Sequence, residues 1–176
     1  MNYLGIDPGT SGAWAVIDDA GSAEAHVVPT VKITEGKHQR TRIDLPRLVA
    51  NLAAISPRPS LAVIELVGPM PRDGTVGAFT FGASYGMVQG VCAGLFISAA
   101  MVRPQAWQRL ILPPGDGNTK ARSVGYASGQ WPSVDLRATP RCTKLHDGKA
   151  DALCLAELAR RLWVDGKARE EWSEWD

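Results

Sequence analysis

The chain has 176 residues and a formal net charge of +1, with 45% hydrophobic and 21% charged residues. These values are typical of one soluble globular domain with a sizeable core, and the net charge by itself predicts no nucleic-acid partner. Three widely spaced cysteines exclude a disulfide framework and a zinc knuckle, and no leader or apolar run of about 18 residues indicates a secretion signal or a membrane span.

We therefore expect a cytoplasmic protein that is not inserted in a membrane. We expect the domain to cover residues 1–164, followed by a charged tail over residues 165–176. Charge is unevenly distributed, since residues 101–150 hold eight Lys and Arg against three Asp. A basic stretch of this kind is compatible with a polyanion partner, although solvated surface explains it as well.

The first eighteen residues predict a β-hairpin whose first strand ends in a carboxylate. An apolar run over residues 3–6 ends at Asp7, and Pro8-Gly9 and Gly12 turn the chain into a second apolar run. A carboxylate in a buried strand is costly unless something pairs with it, and a metal ion is the usual compensation. Asp7 could instead cap the turn through its own backbone.

Residues 25–29 predict a third strand that completes a meander. Residues 32–42 are polar and basic, which indicates an exposed loop that is either solvated or in contact with phosphate. Apolar residues at helical spacing predict a helix over residues 44–55, with Asp44 as N-cap and Pro46 in the first turn.

Residues 60–67 form an apolar run of strand length with one carboxylate, Glu65. Such a run is typical of a central strand buried on both faces. The helix over residues 44–55 supplies the crossover that a parallel pairing with the first strand requires. That pairing places Asp7 and Glu65 at one edge of the sheet. A solitary surface position for Glu65 is the alternative.

The middle of the chain predicts further helices and one strand. A long Gly- and Ala-rich helix from residue 79 to residue 94 suits close packing, within the chain or between subunits. A short strand over residues 99–104, a short helix over residues 105–111 with a buried Trp107, and a helix over residues 119–130 follow. Residues 68–75 and 131–141 indicate loops.

The last helix carries two acids at its start. Residues 146–162 have a broad apolar face, and Asp147 and Asp151, four residues apart, share a side of the helix. The helix dipole favours negative charge there, which would explain either Asp without any function. Carboxylates that converge from all these elements would repel one another unless divalent cations neutralised them, and hard oxygen ligands suit Mg²⁺ or Mn²⁺.

Taken in order, these segments resemble the RuvC family of Holliday-junction resolvases, including its phage and prophage versions, within the RNase H-like nucleases. The resemblance covers most of residues 1–162. It is carried by Gly5-Ile6-Asp7-Pro8-Gly9-Thr10, Ile64-Glu65, Met87-Val88-Gln89-Gly90 within the long helix, and His146-Asp147-Gly148-Lys149-Ala150-Asp151-Ala152-Leu153. Pro104, Trp107 and Lys120 also fall about where the family has its proline-rich strand end and its basic residue.

The resemblance implies an RNase H-like α/β fold, with a mixed central sheet of about five strands flanked by helices. It also implies a homodimer that makes symmetric, Mg²⁺-dependent nicks in four-way DNA junctions during recombination and repair. Mn²⁺ would substitute for Mg²⁺, and two such ions about 4 Å apart can activate a water and stabilise the leaving oxygen. The expected location is the cytoplasm of a bacterium or of a phage-infected host cell.

By position in the family, the metal ligands would be Asp7, Glu65 and Asp151. The family usually has an acid or a His three residues before the last Asp, and this chain has Gly148 there. We favour Asp147 as the replacement, with His146 as the alternative. Lys120 would complete the catalytic set, because a cation there could stabilise the charge of the reacting phosphate.

The family often has an aromatic wedge near the second acid, and residues 67–70 of this chain provide Met70 in its place. Basic residues must hold the DNA phosphates. The predicted DNA-binding residues are Lys37, Arg40, Arg42, Met70, Arg72, Lys120 and Arg122.

Three other interpretations remain open. The first hairpin also resembles the phosphate loop of actin-like ATPases and sugar kinases, but those proteins need two such domains and further glycine-rich motifs that this chain does not show. Gly148 in place of an acid keeps open a non-catalytic RNase H-like domain that binds DNA or a partner. A nuclease that acts on flaps, forks or other branched DNA is the third.

Overall fold

The computed structural model describes residues 1–66, 68, 74–115 and 118–166. The strands are β1 (Asn2–Asp7), β2 (Ala13–Asp18), β3 (Ala23–Val27), β4 (Thr30–Glu35), β5 (His38–Ile43), β6 (Leu61–Glu65) and β7 (Ala99–Val102). The helices are α1 (Leu45–Ala53), α2 (Thr75–Gly94), α3 (Pro104–Ile111), α4 (Thr119–Gln130) and α5 (Asp147–Val164). In the part of the chain thus described, no helix is both long and apolar enough to cross a membrane.

Five strands form a mixed sheet in the order β3-β2-β1-β6-β7. The meander β1-β2-β3 is antiparallel, whereas β6 pairs in parallel with both β1 and β7. The central strands β1 and β6 are buried along almost their whole length, as expected for apolar runs covered on both faces. The predicted mixed sheet of about five strands is therefore confirmed.

Helix α1 makes the crossover between the meander and β6. Asp44 caps it as predicted, since its carboxylate accepts a hydrogen bond from the backbone N–H of Arg47 at 3.2 Å. Leu48 and Leu52 face the sheet and join a hydrophobic cluster with α2 residues Val88 and Cys92. Helices α1 and α2 therefore cover one face of the sheet.

Helix α5 covers the other face and lies directly on β1. A Cβ added to Gly5 would fall 2.0 Å from the carbonyl oxygen of Ala152 and 2.2 Å from the backbone nitrogen of Ala156, so only glycine allows this approach. Helices α3 and α4 pack beside α5, and Trp107 of α3 is fully buried there, as predicted. Helix α4 has the bounds that the sequence predicted.

The expected exposed loop over residues 32–42 is wrong. Strands β4 and β5 form a separate two-stranded antiparallel sheet joined by a turn at Gly36, whose φ of +63° is easily adopted by glycine. The polar and basic composition concealed an alternation of β-branched residues such as Val31, Ile33 and Thr41, which favour strands. Helix α2 also begins at Thr75, four residues before the predicted start.

Candidate active site at the carboxyl edge of the sheet

Asp7 and Glu65 lie side by side at the ends of the two central strands. The parallel register pairs Ile6 with Ile64, so the residues that follow occupy equivalent positions on β1 and β6. Parallel strands bring their carboxyl ends to the same edge, and equivalent residues lie on the same face. The predicted pairing of these two carboxylates at one sheet edge is thus found.

The close packing at Gly5 brings the first turn of α5 against Asp7. A Cβ added to Gly148 would lie 2.8 Å from Oδ2 of Asp7, so the backbone of this turn lies almost in contact with that carboxylate. Asp147 and Asp151 flank Gly148, as the first residue of α5 and a residue one turn later. The position at which the resemblance implied a further acid therefore lies beside Asp7 in space.

Burial and like charge disfavour ionisation of these carboxylates. Burial raises the pKa of Asp7 well above its ordinary value, and the negative charges of Glu65, Asp151 and Asp147 raise it further. Burial likewise raises the pKa of Asp151 to about 6, assisted by the charges of Glu65 and Asp147. The edge therefore concentrates negative charge that a cation would stabilise.

Two side chains that the sequence did not reveal as partners position these acids. The indole Nε1 of Trp107 donates a hydrogen bond to Oε1 of Glu65 at 2.8 Å, which partly offsets the rise that burial causes in the pKa of Glu65. The hydroxyl of Ser123 lies near Asp151 and lowers the pKa of that carboxyl, although in this structure it donates to the backbone carbonyl oxygen of Lys120 at 3.2 Å. Ser123 follows Lys120 by three residues on the same side of α4, and that spacing could have predicted that it lies at the site.

Lys120 is a cation that the structure brings to this edge. Its Nζ lies 2.5 Å from Oδ2 of Asp147, and this ion pair lowers the pKa of Asp147 and raises that of Lys120. Asn118 caps α4 by accepting from the backbone N–H of Lys120, which fixes the start of that helix. Asp147 is therefore oriented toward Lys120.

His146 caps the start of α5. Its Nδ1 accepts a hydrogen bond from the backbone N–H of Lys149 at 3.3 Å, and burial lowers its pKa. The Cε1 atom of the ring would lie 3.0 Å from a Cβ added to Gly148. The imidazole thus occupies space beside Gly148, but one of its nitrogens already serves the helix cap.

The predicted DNA-binding residues occupy several places. Lys37 is at the exposed turn between β4 and β5, whereas Arg42 on β5 donates a hydrogen bond to Oγ1 of Thr80 on α2 at 3.3 Å. Arg40 is also on β5 and half-buried, and Arg122 donates to the carbonyl oxygen of Pro113 at 2.6 Å. The predictions for Met70 and Arg72 lie outside the described residues.

The donor set suits a hard divalent cation, because it consists of carboxylate oxygens that repel one another. Within residues 1–66, 68, 74–115 and 118–166, no group of three or more His, Cys, Asp or Glu side chains is arranged to hold a metal ion as it stands. The ion pair with Lys120 directs the carboxylate of Asp147 toward that lysine. The carboxylates therefore fit a divalent cation in the chemistry of their donor atoms and in their common location at the sheet edge.

No protein-family model matches this sequence, and no curated protein matches it significantly. Solved structures do match. The chain is similar to RuvC of Thermus thermophilus, with a TM-score of 0.57 and 18% identity over 94% of this chain and 97% of that one. It is similar to T. thermophilus RuvC in complex with a Holliday junction substrate, with a TM-score of 0.57 and 16% identity over 96% and 97% of the two chains.

A third match is the yeast mitochondrial Holliday junction resolvase, with a TM-score of 0.49 and 13% identity over 96% of this chain and 81% of that one. The two RuvC structures carry the comparison, and at their level of identity they establish the fold. The chain therefore has the RuvC-type, RNase H-like fold that the resemblance implied.

Proposed function

We propose that this protein is a divalent-metal-dependent endonuclease that resolves four-way DNA junctions by nicking them symmetrically. One observation carries the proposal: Asp7, Glu65 and Asp151 converge at the carboxyl edge of a RuvC-type sheet, where burial raises the pKa of each. Buried carboxylates that repel one another weaken the fold, and perturbed groups of this kind cluster at functional sites.

Asp7, Glu65 and Asp151 would hold the metal ions, with Asp147 as the fourth ligand. Asp147 is preferred to His146 because it supplies a hard carboxylate oxygen at the first residue of α5, whereas His146 has only Nε2 left after its Nδ1 caps the helix. The oxygen ligands favour Mg²⁺, for which Mn²⁺ would substitute. Bound ions of this class lower the pKa of a water and stabilise the oxygen that leaves in phosphodiester cleavage.

The remaining residues of the site would orient these acids and hold the DNA. Trp107 fixes the carboxylate of Glu65 through its hydrogen bond, and Ser123 lies beside Asp151. The ammonium group of Lys120 is exposed beside Asp147, where it would stabilise the negative charge of a phosphate at the same edge. The side chains proposed for further phosphate and junction contacts are Lys37, Arg40, Arg42, Met70, Arg72 and Arg122.

The proposal includes a homodimer, because symmetric nicking of two strands requires two sites. Helix α2 supports it: residues 75–94 carry no charged side chain, and Phe79 is 75% exposed. Four glycines at intervals of four residues, at positions 82, 86, 90 and 94, have open space where a Cβ would lie. An exposed, uncharged helix of this kind suits contact with a second copy of itself, and light scattering measures the resulting molar mass.

Junction selectivity is the part of the proposal that most needs a direct test. We would incubate the protein with an end-labelled four-way junction, a linear duplex of the same sequence and a flap, each in Mg²⁺, Mn²⁺ or EDTA. Paired, metal-dependent nicks in the junction alone are expected. Equal cutting of flaps would retain the nuclease chemistry but discard junction resolution, and binding without cutting in either metal would support the non-catalytic alternative.

If the protein is such a nuclease, its place of action is the cytoplasm of a bacterial or phage-infected cell, where branched DNA intermediates arise.

A further inference from the structure

The hairpin formed by β4 and β5 arises at the same edge of the sheet as the carboxylates. Asp7 pairs with Ala13 across β1 and β2, and Ala13 pairs in turn with Val27, the last residue of β3. The end of β3 therefore lies in line with Asp7. The hairpin begins three residues later and ends at α1, where the backbone N–H of Asp44 donates to the carbonyl oxygen of Pro29 at 2.8 Å.

The hairpin has two different faces. Cross-strand partners lie on the same face of an antiparallel pair. One face carries the pair of Ile33 with Arg40 and that of Val31 with Arg42, and Arg42 connects it to α2 through Thr80. The opposite face carries Thr30 with Ile43 at its base, where Ile43 is buried in the core cluster beside α1 and α2, and then Lys32 with Thr41 and Thr34 with Gln39. We call the last four of these residues, all exposed, the outer face.

The chemistry of the outer face suits the DNA backbone. Residues 30–43 hold four Lys and Arg against one acid, Glu35. The outer face itself presents the ammonium group of Lys32, hydroxyls and an amide, which are the groups that commonly contact phosphate and sugar. Lys37 adds a second exposed cation at the turn. Strands of six residues span about 20 Å, or about six phosphate spacings of one DNA strand.

The hairpin is also an independent extension of the fold. It pairs as its own two-stranded sheet and adds no strand to the central one. A two-stranded hairpin alone is only marginally stable, and here the hydrogen bond from Arg42 to Thr80 and the buried side chain of Ile43 attach it to the body of the protein. The polar side chains of the outer face are exposed and remain available to bind something outside the chain.

We propose that the outer face of this hairpin, with Lys32 and Lys37 as its cations, binds the phosphate backbone of a DNA arm that leaves the candidate active site. The inference rests on the proposed nuclease function, because it supposes that DNA occupies the carboxylate edge. It assigns to Lys32 the phosphate contact that was one of two alternatives for residues 32–42, and it assigns Arg42 mainly to holding the hairpin in place.

The test is the salt dependence of DNA binding, measured by fluorescence anisotropy in EDTA so that cleavage does not enter. We would compare the wild type with a Lys32→Gln, Lys37→Gln double variant on a labelled four-way junction. Loss of two phosphate contacts should reduce the slope of log affinity against log salt by about 1.8. The affinity difference between wild type and variant should then shrink about tenfold from 50 mM to 200 mM salt.

Arg58→Gln is the matched control. Arg58 is exposed and precedes Ser60, whose N–H donates to Asn2 at the opposite edge of the sheet, so its loss should leave slope and affinity unchanged. A double variant that behaves like Arg58→Gln would overturn the inference, and so would a wild type that binds no DNA.

A second variant removes the hairpin entirely. Residues 31–42 can be replaced by a short Gly-Ser turn, because Pro29 and Asp44 are already joined by a hydrogen bond. The slope of log affinity against log salt should fall at least as far as it does in the double variant. An unchanged slope would refute the role of the hairpin in DNA binding. Failure of the wild type to nick the junction, with the slope difference retained, would count against the proposed function and not against DNA binding by the hairpin.

Discussion

Replacement of Asp151 by Asn should stabilise the metal-free protein at pH 8 and have little effect at pH 4. Burial, together with the charges of Glu65 and Asp147, raises the pKa of Asp151 from 3.8 to about 6 in the folded state. The ionised carboxylate therefore destabilises the fold, and the neutral amide of Asn removes that charge with almost no change in the size of the side chain.

The pKa shift sets both the magnitude and the pH window. A carboxyl group whose pKa is raised by folding contributes no penalty below the unfolded value, and the penalty grows until the pH exceeds the folded value. A shift of about 2 units at 1.36 kcal/mol per unit gives about 3 kcal/mol in the free energy of unfolding at pH 8. For a chain of this length that corresponds to a rise of about 10 °C in Tm.

The assay is thermal unfolding followed by circular dichroism in EDTA at pH 4 and pH 8. Asp135→Asn is the control, because the pairing of Asp135 with Arg137 lowers its pKa to about 2 and its removal should give no stabilisation at pH 8. Added Mn²⁺ should raise the Tm of the wild type more than that of Asp151→Asn. An equal Tm at pH 8, or the same gain at pH 4, would refute the electrostatic reasoning.

Three further predictions concern activity and one concerns the fold. Asp7→Asn should abolish cleavage and leave junction binding in a gel-shift assay intact; undiminished cutting would remove Asp7 from the reaction. Asp147→Asn should lower the cleavage rate at least tenfold, whereas His146→Ala should mainly lower Tm, and the reverse pattern would make the histidine the fourth ligand. Lys120→Ala should slow single-turnover cleavage about 10²-fold, and a wild-type rate would leave Lys120 with only a charge-balancing role. Gly5→Ala should cost about 3 kcal/mol or more in urea unfolding, because its Cβ would overlap the backbone of α5; a loss below 1 kcal/mol would contradict that close approach.

The sequence was sufficient to place Asp7 and Glu65 together. Each follows a run of apolar residues of strand length, and a helical pattern between the runs predicts a parallel crossover. Each pattern can be recognised within a short stretch of sequence, and together they predict that the two strands are parallel. Their carboxyl ends could therefore be placed at the same edge of the sheet. Asp147 and Asp151 could be placed on one side of a helix for the same reason, since a spacing of four residues decides it.

Contacts between distant residues could not be predicted in the same way. The hydrogen bond from Trp107 to Glu65 and the ion pair of Lys120 with Asp147 join elements that are far apart in the chain, and their side chains meet only after packing. The hairpin of β4 and β5 was concealed because its basic residues made a strand pattern resemble a solvated loop. Whether such a stretch forms a hairpin or a loop depends on the position of its turn, here at Gly36, and on the register in which its two strands pair.

Gly148 illustrates both the use and the limit of a sequence comparison. The resemblance marked this position as one where an acid was expected, and the structure places it directly beside Oδ2 of Asp7. Which neighbouring residue replaces the missing acid depends on the orientation of side chains at the start of α5. There His146 caps the helix and Asp147 faces Lys120.

The most direct test of the account is one cleavage experiment with a labelled four-way junction, comparing the wild type and Asp7→Asn in Mg²⁺ and in EDTA. The account predicts paired nicks by the wild type in Mg²⁺ alone and none by the variant, with both proteins bound to the junction. Nicking that persists in EDTA, or that Asp7→Asn retains in full, would contradict a metal-dependent reaction at the carboxylate edge.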